Sequence, residues 1–181
     1  LLIIIFCFLR PLPSLGGRNL TAASDTTIRI AFGSCLKPYL QPDPVLNSIS
    51  ELNPDVFVWL GDVAYTDKKI LAFPFSPFVA FSGEETYRAK LEETKNLASY
   101  QRLRHKTQIV GVWDDHDYGI NDGDITFEYK EITQPIWLDF IDESTDSPRR
   151  KQKGIWDSYY IGKNEKVKLI LLDGRYYKNG R

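Results

Sequence analysis

The 181-residue chain has no methionine, only two cysteines and two histidines, and no apolar run longer than nine residues. Each shortage excludes something. The nine-residue run, "LLIIIFCFL" from Leu1 to Leu9, is too short to cross a bilayer as a helix, which takes about 20 apolar residues. It matches the apolar core of a secretion signal, followed as it is by Arg10, Pro11 and small residues. A membrane anchor that has lost its N-terminal part is the alternative. Without a methionine, Leu1 is not an initiator, and both ends of the chain are expected to be cut. Neither sign of charge is in excess. Lys and Arg number 23 against 24 Asp and Glu, a formal net charge of -1, which argues against electrostatically driven binding of nucleic acid. Internal repeats and low-complexity tracts are absent too.

What is there suffices for one domain with a real core, since 43% of the residues are hydrophobic and 13% aromatic. Residues 1-26 read as a signal-peptide remnant and polar linker, and 27-181 as the folded domain. "NLT" at Asn19 to Thr21 is a glycosylation sequon, in keeping with a secreted, vacuolar or membrane-anchored protein. Removal of a leader containing Cys7 would leave Cys35 alone. A soluble redox protein then lacks its second cysteine. The Cys35 thiol is either buried and inert at a strand end or a metal ligand.

"IRIAFGSC", "DVFVWLGD" and "QIVGVWDD" read as strands, the second apolar throughout and so buried on both faces. Helices are expected over Pro44 to Leu52, Glu84 to Arg104 and Phe127 to Phe140, with Pro135 shifting the start of the last or kinking it. Phe73 to Phe81 ("FPFSPFVAF") and "DESTDSPRRKQKG" read as loops. "GIWDSYYIG" and "KVKLILLDG" read as a closing hairpin turned at "KNEK". Alternation of strands and helices predicts an α/β domain with a largely parallel sheet. In such sheets chemistry collects at the carboxyl ends of the strands. Four strand ends there carry a potential metal ligand: Cys35, Asp62, Asp114 with Asp115, and Asp173.

The densest of these, "GVWDDHDYGINDGD", crowds five aspartates into the eleven residues from Asp114 to Asp124. Carboxylates so close repel one another unless water, hydrogen bonds or a cation separates them. Two loop registers fail as an EF-hand, because each puts Gly119 where a carboxylate or amide is needed. His116 sits among Asp114, Asp115 and Asp117, which favour its imidazolium form and suit it to general-acid work, or else it is simply hydrogen-bonded in a turn. Gly61 lets the chain turn so that Asp62 projects from the strand end. Tyr65, three residues on, either returns a phenolate to that point or packs. His105 ends a basic helical stretch and has no assigned function.

In order along the chain, "FGSC", "VFVWLGDVAY", "GVWDDHDYGINDGD", "SPRR", "GIWDSYYIG" and "VKLILLDGRYY" resemble the alkaline phosphatase D-type (PhoD-like) metallophosphatases of the calcineurin-like phosphoesterase superfamily, over Ile28 to Tyr177. The resemblance implies a metallophosphatase-type β sandwich flanked by helices, a four-layer α/β/β/α arrangement incomplete in this chain. It implies metal ligands at Cys35, Asp62, Tyr65 and Asp115, catalysis by His116 as proton donor, and orienting roles for Asp114, Asp117, Asn121 and Asp122. It leaves Arg175 without a role. Two or more ions, Fe3+ with Ca2+, are expected to generate a hydroxide that attacks a phosphate-ester substrate, a phosphatase or phosphodiesterase reaction. The family pattern continues beyond Arg181 with further ligands, so activity is expected of a longer protein. A non-catalytic binder of phosphorylated ligands, using the basic "SPRRKQKG" loop, is the competing expectation.

Overall fold

The computed structural model describes residues 18–22, 27–37, 41–72, 76–162 and 167–180. The apolar leader with Cys7 and the "KNEK" turn lie outside the described residues.

The architecture is mixed α/β, built on a fully parallel three-stranded sheet. Its strands are β2 (Ile30–Gly33), β3 (Val56–Leu60) and β6 (Gln108–Val112), in the order β2-β3-β6. β3 is central and its residues Val56 to Trp59 are buried, as an uninterrupted apolar run requires. Parallel neighbours need crossover connections. The first is α1 (Asp43–Glu51), and the second holds α2 (Glu84–Lys95) and α3 (Ala98–Lys106). Three tryptophans, Trp59, Trp113 and Trp137, are fully buried in one core with Tyr100 and Phe140. Trp59 donates its indole N–H to the Tyr100 hydroxyl at 3.0 Å, so the buried polar end of each ring is satisfied.

A second sheet has the order β1-β7-β8, with β1 (Arg18–Leu20), β7 (Asp157–Ile161) and β8 (Val167–Leu171). β7 and β8 form the expected antiparallel pair, while β1 runs parallel to β7. Residues 18–20, expected to be leader or linker, are therefore part of a sheet. Asn19 of the sequon is exposed on β1.

The loop expected at Phe73 to Phe81 is instead largely a two-stranded ribbon, β4 (Lys68–Ala72) against β5 (Ser76–Ala80). Pro77 suggests a loop, but a ribbon whose strands pair only with each other among the described residues tolerates a residue that lacks an N–H. The helix expected over Glu84 to Arg104 is split, because Asn96 closes α2 and Leu97 is extended (φ -57, ψ 129). α5 (Lys130–Phe140) runs through Pro135.

The two arginines of the basic loop are built into the framework. Pro148–Arg150 is a 3-10 turn, and Arg149 is 2% exposed. Arg149 donates to Glu143 (3.1 Å), to the Gly111 carbonyl on β6 (2.7 Å) and to the Ile155 carbonyl (3.0 Å). Arg18 on β1 pairs with Glu143 and Asp157. Glu143 thus joins an arginine from each side, and the cluster fastens β1 and β7 to the parallel sheet. Arg150 is spent on Asp139 and on the carbonyls of Glu143 and Ser144. Lys151 and Lys153 of the same loop are exposed.

Candidate metal centre

The carboxyl ends of β2, β3 and β6 lie side by side, and each strand leaves the sheet in an unusual backbone conformation or a cap. After β3 the chain turns at Gly61 (φ +95), where a Cβ would meet the backbone nitrogen of Asp114 at 2.4 Å and the Trp113 carbonyl carbon at 2.8 Å. Only glycine lets the β3 and β6 ends approach so closely. The neighbouring turns place Cys35 (φ 59) and Asp62 (φ 54) in the left-handed region. Non-glycine residues there cost roughly 1–3 kcal/mol each and cluster where function holds them. Cys35 N and Leu36 N donate to the carbonyls of Gly61 (3.3 Å) and Asp62 (2.8 Å), so these two turns travel together.

After β6, a single-turn helix, α4 (Asp115–Tyr118), begins in a capping box. The Asp114 side chain caps the turn, and Asp117 accepts the Asp114 backbone N–H at 2.8 Å. Asp117 is fully buried and also accepts the Val63 N–H at 2.6 Å, so it couples the loops after β3 and β6. Burial pushes its carboxyl well up, while these backbone N–H groups pull the other way.

This convergence assembles Asp62, Asp115 and His116, each offering one ligand atom within 4.8 Å of the others. Asp62 is buried, the other two half-buried. Cys35 and Tyr65 lie against the same carboxylate. The thiol donates to Oδ2 of Asp62 at 3.6 Å and the phenol to the same oxygen at 3.5 Å. The other oxygen, Oδ1, is buried with no partner among the described residues. An orphaned carboxylate oxygen is costly unless a cation or proton compensates it. Burial, and then the charges of Asp115 and Asp114, push the Asp62 carboxyl up, against the pull of His116 and Cys35. Two carboxylates and an imidazole so placed fit a cation, with the Cys35 thiol and the Tyr65 phenol beside them. This cluster can hold a metal ion.

Burial lowers the His116 pKa, but its hydrogen bond to Asp67 and the charges of Asp67, Asp115 and Asp62 more than offset this, and the net shift is upward. Nδ1 of His116 is 2.8 Å from Oδ1 of Asp67, which leaves Nε2 for a ligand or a proton transfer. Tyr65 stacks obliquely on the ring, centroids 4.3 Å apart, and Lys37 Nζ lies over the Tyr65 ring, 4.4 Å from its centroid. Burial, then the Asp62 and Cys35 charges, raise the Tyr65 pKa, so its phenol is a donor until a cation displaces the proton.

The remaining expected residues fall into two groups. Asp122 donates its backbone N–H to Oδ2 of Asp115 at 2.8 Å, and Asn121 donates through its side chain to Asp122 at 3.1 Å. Asp114 is held by Arg175 Nε at 2.6 Å, and the same guanidinium reaches Asp115 at 3.7 Å. That gives Arg175 a place, as the cation that keeps Asp114 and Asp115 from repelling. Asp173, by contrast, is no ligand. It ends β8, in the other sheet, and its oxygens accept from Trp113 Nε1 (2.9 Å) and from the backbone N–H of Ile155, Arg175 and Tyr176 (2.8–2.9 Å). The Cys35 thiol is exposed rather than buried. Asp67 is the residue that sequence reading missed, because nothing in "YTD" signals that the chain folds back onto His116.

No family model, curated protein or solved structure matches the chain. Among the described residues no helix is long and apolar enough to cross a membrane.

Proposed function

We propose that the cluster is the metal centre of a PhoD-like metallophosphatase and that the protein, in the secretory pathway or beyond it, hydrolyses phosphate esters. One observation carries this reading: Asp62, Asp115 and His116 meet within 4.8 Å at the ends of parallel strands, with Oδ1 of Asp62 buried and unpartnered. The two sheets are proposed to belong to a four-layer α/β/β/α sandwich.

Asp62 and Asp115 would hold the ions, with Cys35 and Tyr65 completing a site suited to Fe3+ beside Ca2+. When bound, such ions neutralise phosphate oxygens and lower the pKa of water enough to yield a nucleophile near neutral pH. His116, fixed through Nδ1 by Asp67, keeps its proton to higher pH than a free imidazole and delivers it from Nε2 to the departing alkoxide oxygen. Arg175 and the Asp122 N–H hold Asp115 in place.

The test is hydrolysis of p-nitrophenyl phosphate and bis(p-nitrophenyl) phosphate before and after chelation, with Asp62→Asn alongside. Loss on chelation, recovery with added metal and loss in Asp62→Asn are expected. Turnover indifferent to the chelator and to Asp62→Asn would overturn the proposal.

A further inference from the structure

A cavity of about 450 Å³ opens beside the metal cluster, between β5 and the loop that follows α4. Its connection to the site is direct. Asp122, in its wall, donates its backbone N–H to Asp115 of the cluster. Two features define its chemistry. One wall is aromatic: Phe81 stacks on Tyr129 with centroids 4.9 Å apart and planes at 21°, and Phe127 meets Phe81 edge-on at 5.7 Å. Tyr129 is 44% exposed, so a ring is open to an occupant rather than sealed in the core. The other feature is charge. Asp122, Asp124 and Glu128 line the cavity, and no Lys, Arg or His does among the described residues. The nearest cations lie outside the lining, Lys130 on the Ile125 carbonyl and over the Tyr176 ring, Lys178 on the Asp122 carbonyl and Arg175 on Asp114. The charges of Lys130 and Lys178 reach Asp124 and that of Arg175 reaches Asp122.

An aromatic wall faced by carboxylates attracts an organic cation through the ring quadrupole and through plain charge, and repels a second phosphate or a carboxylate. Inorganic cations gain little from the rings, because they keep their hydration. We infer that this cavity is a subsite for a substituted ammonium group, and that the substrates of the neighbouring centre are phosphate esters of amino alcohols. The second half of that inference rests on the phosphate-ester reading above, while the cation site does not.

Choline and its neutral isostere 3,3-dimethylbutan-1-ol separate the two parts, titrated into the protein by NMR or calorimetry at constant ionic strength. Choline saturates a single site, and the isostere binds roughly tenfold more weakly, within the range expected for an exposed to partly desolvated cation–π contact. Asp122→Asn with Glu128→Gln removes the discrimination. Asn tolerates the left-handed backbone of position 122 (φ 56), so the fold is kept. Tyr129→Leu weakens choline and leaves the isostere nearly unchanged. Equal binding of the two ligands, or none of either, overturns the cation site. Hydrolysis of phosphocholine against 3,3-dimethylbutyl phosphate then tests the substrate class, and a kcat/KM preference for phosphocholine of about tenfold is expected. If choline binds selectively but neither ester is cleaved, the phosphate-ester reading fails and the cation site stands. If both esters are cleaved equally and choline does not bind, the reverse holds.

Discussion

Gly61 and Gly83 have nearly the same φ, +95 and +94, in different surroundings. An added Cβ at Gly83 meets nothing within 4 Å, whereas at Gly61 it meets Asp114 Cβ and N at 2.4 Å and the Trp113 carbonyl carbon at 2.8 Å. Gly83→Ala therefore carries only the backbone cost, about 1–3 kcal/mol. Gly61→Ala adds overpacking against atoms that cannot swing aside, about 1–3 kcal/mol more. For a chain of this size that extra amount lowers Tm by a further ~2–12 °C. It also has a functional signature. Pushing the β3 end from the β6 end separates Asp62 from Asp115, so metal affinity falls in Gly61→Ala and is unchanged in Gly83→Ala. Thermal melts of the two variants, with calorimetric metal titration, make the comparison. Equal melting losses, or full metal affinity in Gly61→Ala, would refute the claim that this contact builds the site.

Three further outcomes follow from the same geometry. Asp67→Asn removes the partner that orients His116, so hydrolysis of an alkyl phosphate should fall about 10–100-fold while metal affinity and Tm change little, measured by steady-state kinetics, calorimetry and thermal melts. Glu143→Gln leaves the buried Arg149 with only the more distant Asp157 carboxylate, 3.8 Å away, and should cost about 3–5 kcal/mol at neutral pH by denaturant titration. Burial alone would raise the Glu143 pKa, but Arg18, Ser147 and Arg149 hold it below its ordinary 4.5. The stabilisation is therefore present above about pH 4.5 and lost as pH falls through the folded value. Wild type and Glu143→Gln should converge in stability across that acid window, and parallel curves would contradict the assignment. Asp173→Ala strands the Trp113 indole N–H and three backbone donors, so it should destabilise by about 2–4 kcal/mol. A variant that stays stable but loses metal would instead restore Asp173 as a ligand.

The parts of the fold written locally were legible. An unbroken apolar run ending on Gly-Asp marks β3 and its functional end, and "QIVGVWDD" marks β6 in the same way. Because parallel strands share their carboxyl edge, Cys35, Asp62 and Asp115 could be placed together without coordinates. What the sequence hid is long-range. Arg18–Leu20 forms a strand only because β7, some 140 residues on, offers an edge. Asp173 ends a strand like the others but belongs to the second sheet, a fact about pairing that no local pattern carries. Asp67 reaches His116 by a fold-back of the chain. Two misses had local signals. Asn96, a poor helix residue and a good cap, marks the break between α2 and α3. The Asp114 and Asp117 spacing is that of a capping box, so Asp117 was legible as framework.

The central claim is that Asp62 anchors a metal ion at the ends of the parallel strands. Its most direct test is the metal content and affinity of the purified protein, by elemental mass spectrometry and calorimetric titration with iron and calcium. Asp62→Asn is the variant, and the exposed helix substitution Glu92→Gln is the control. The account predicts bound metal in wild type and Glu92→Gln, and an affinity at least ~100-fold lower in Asp62→Asn, beyond what loss of an orienting partner costs. Metal-free wild-type protein with no measurable affinity, or equal binding by Asp62→Asn, would contradict it.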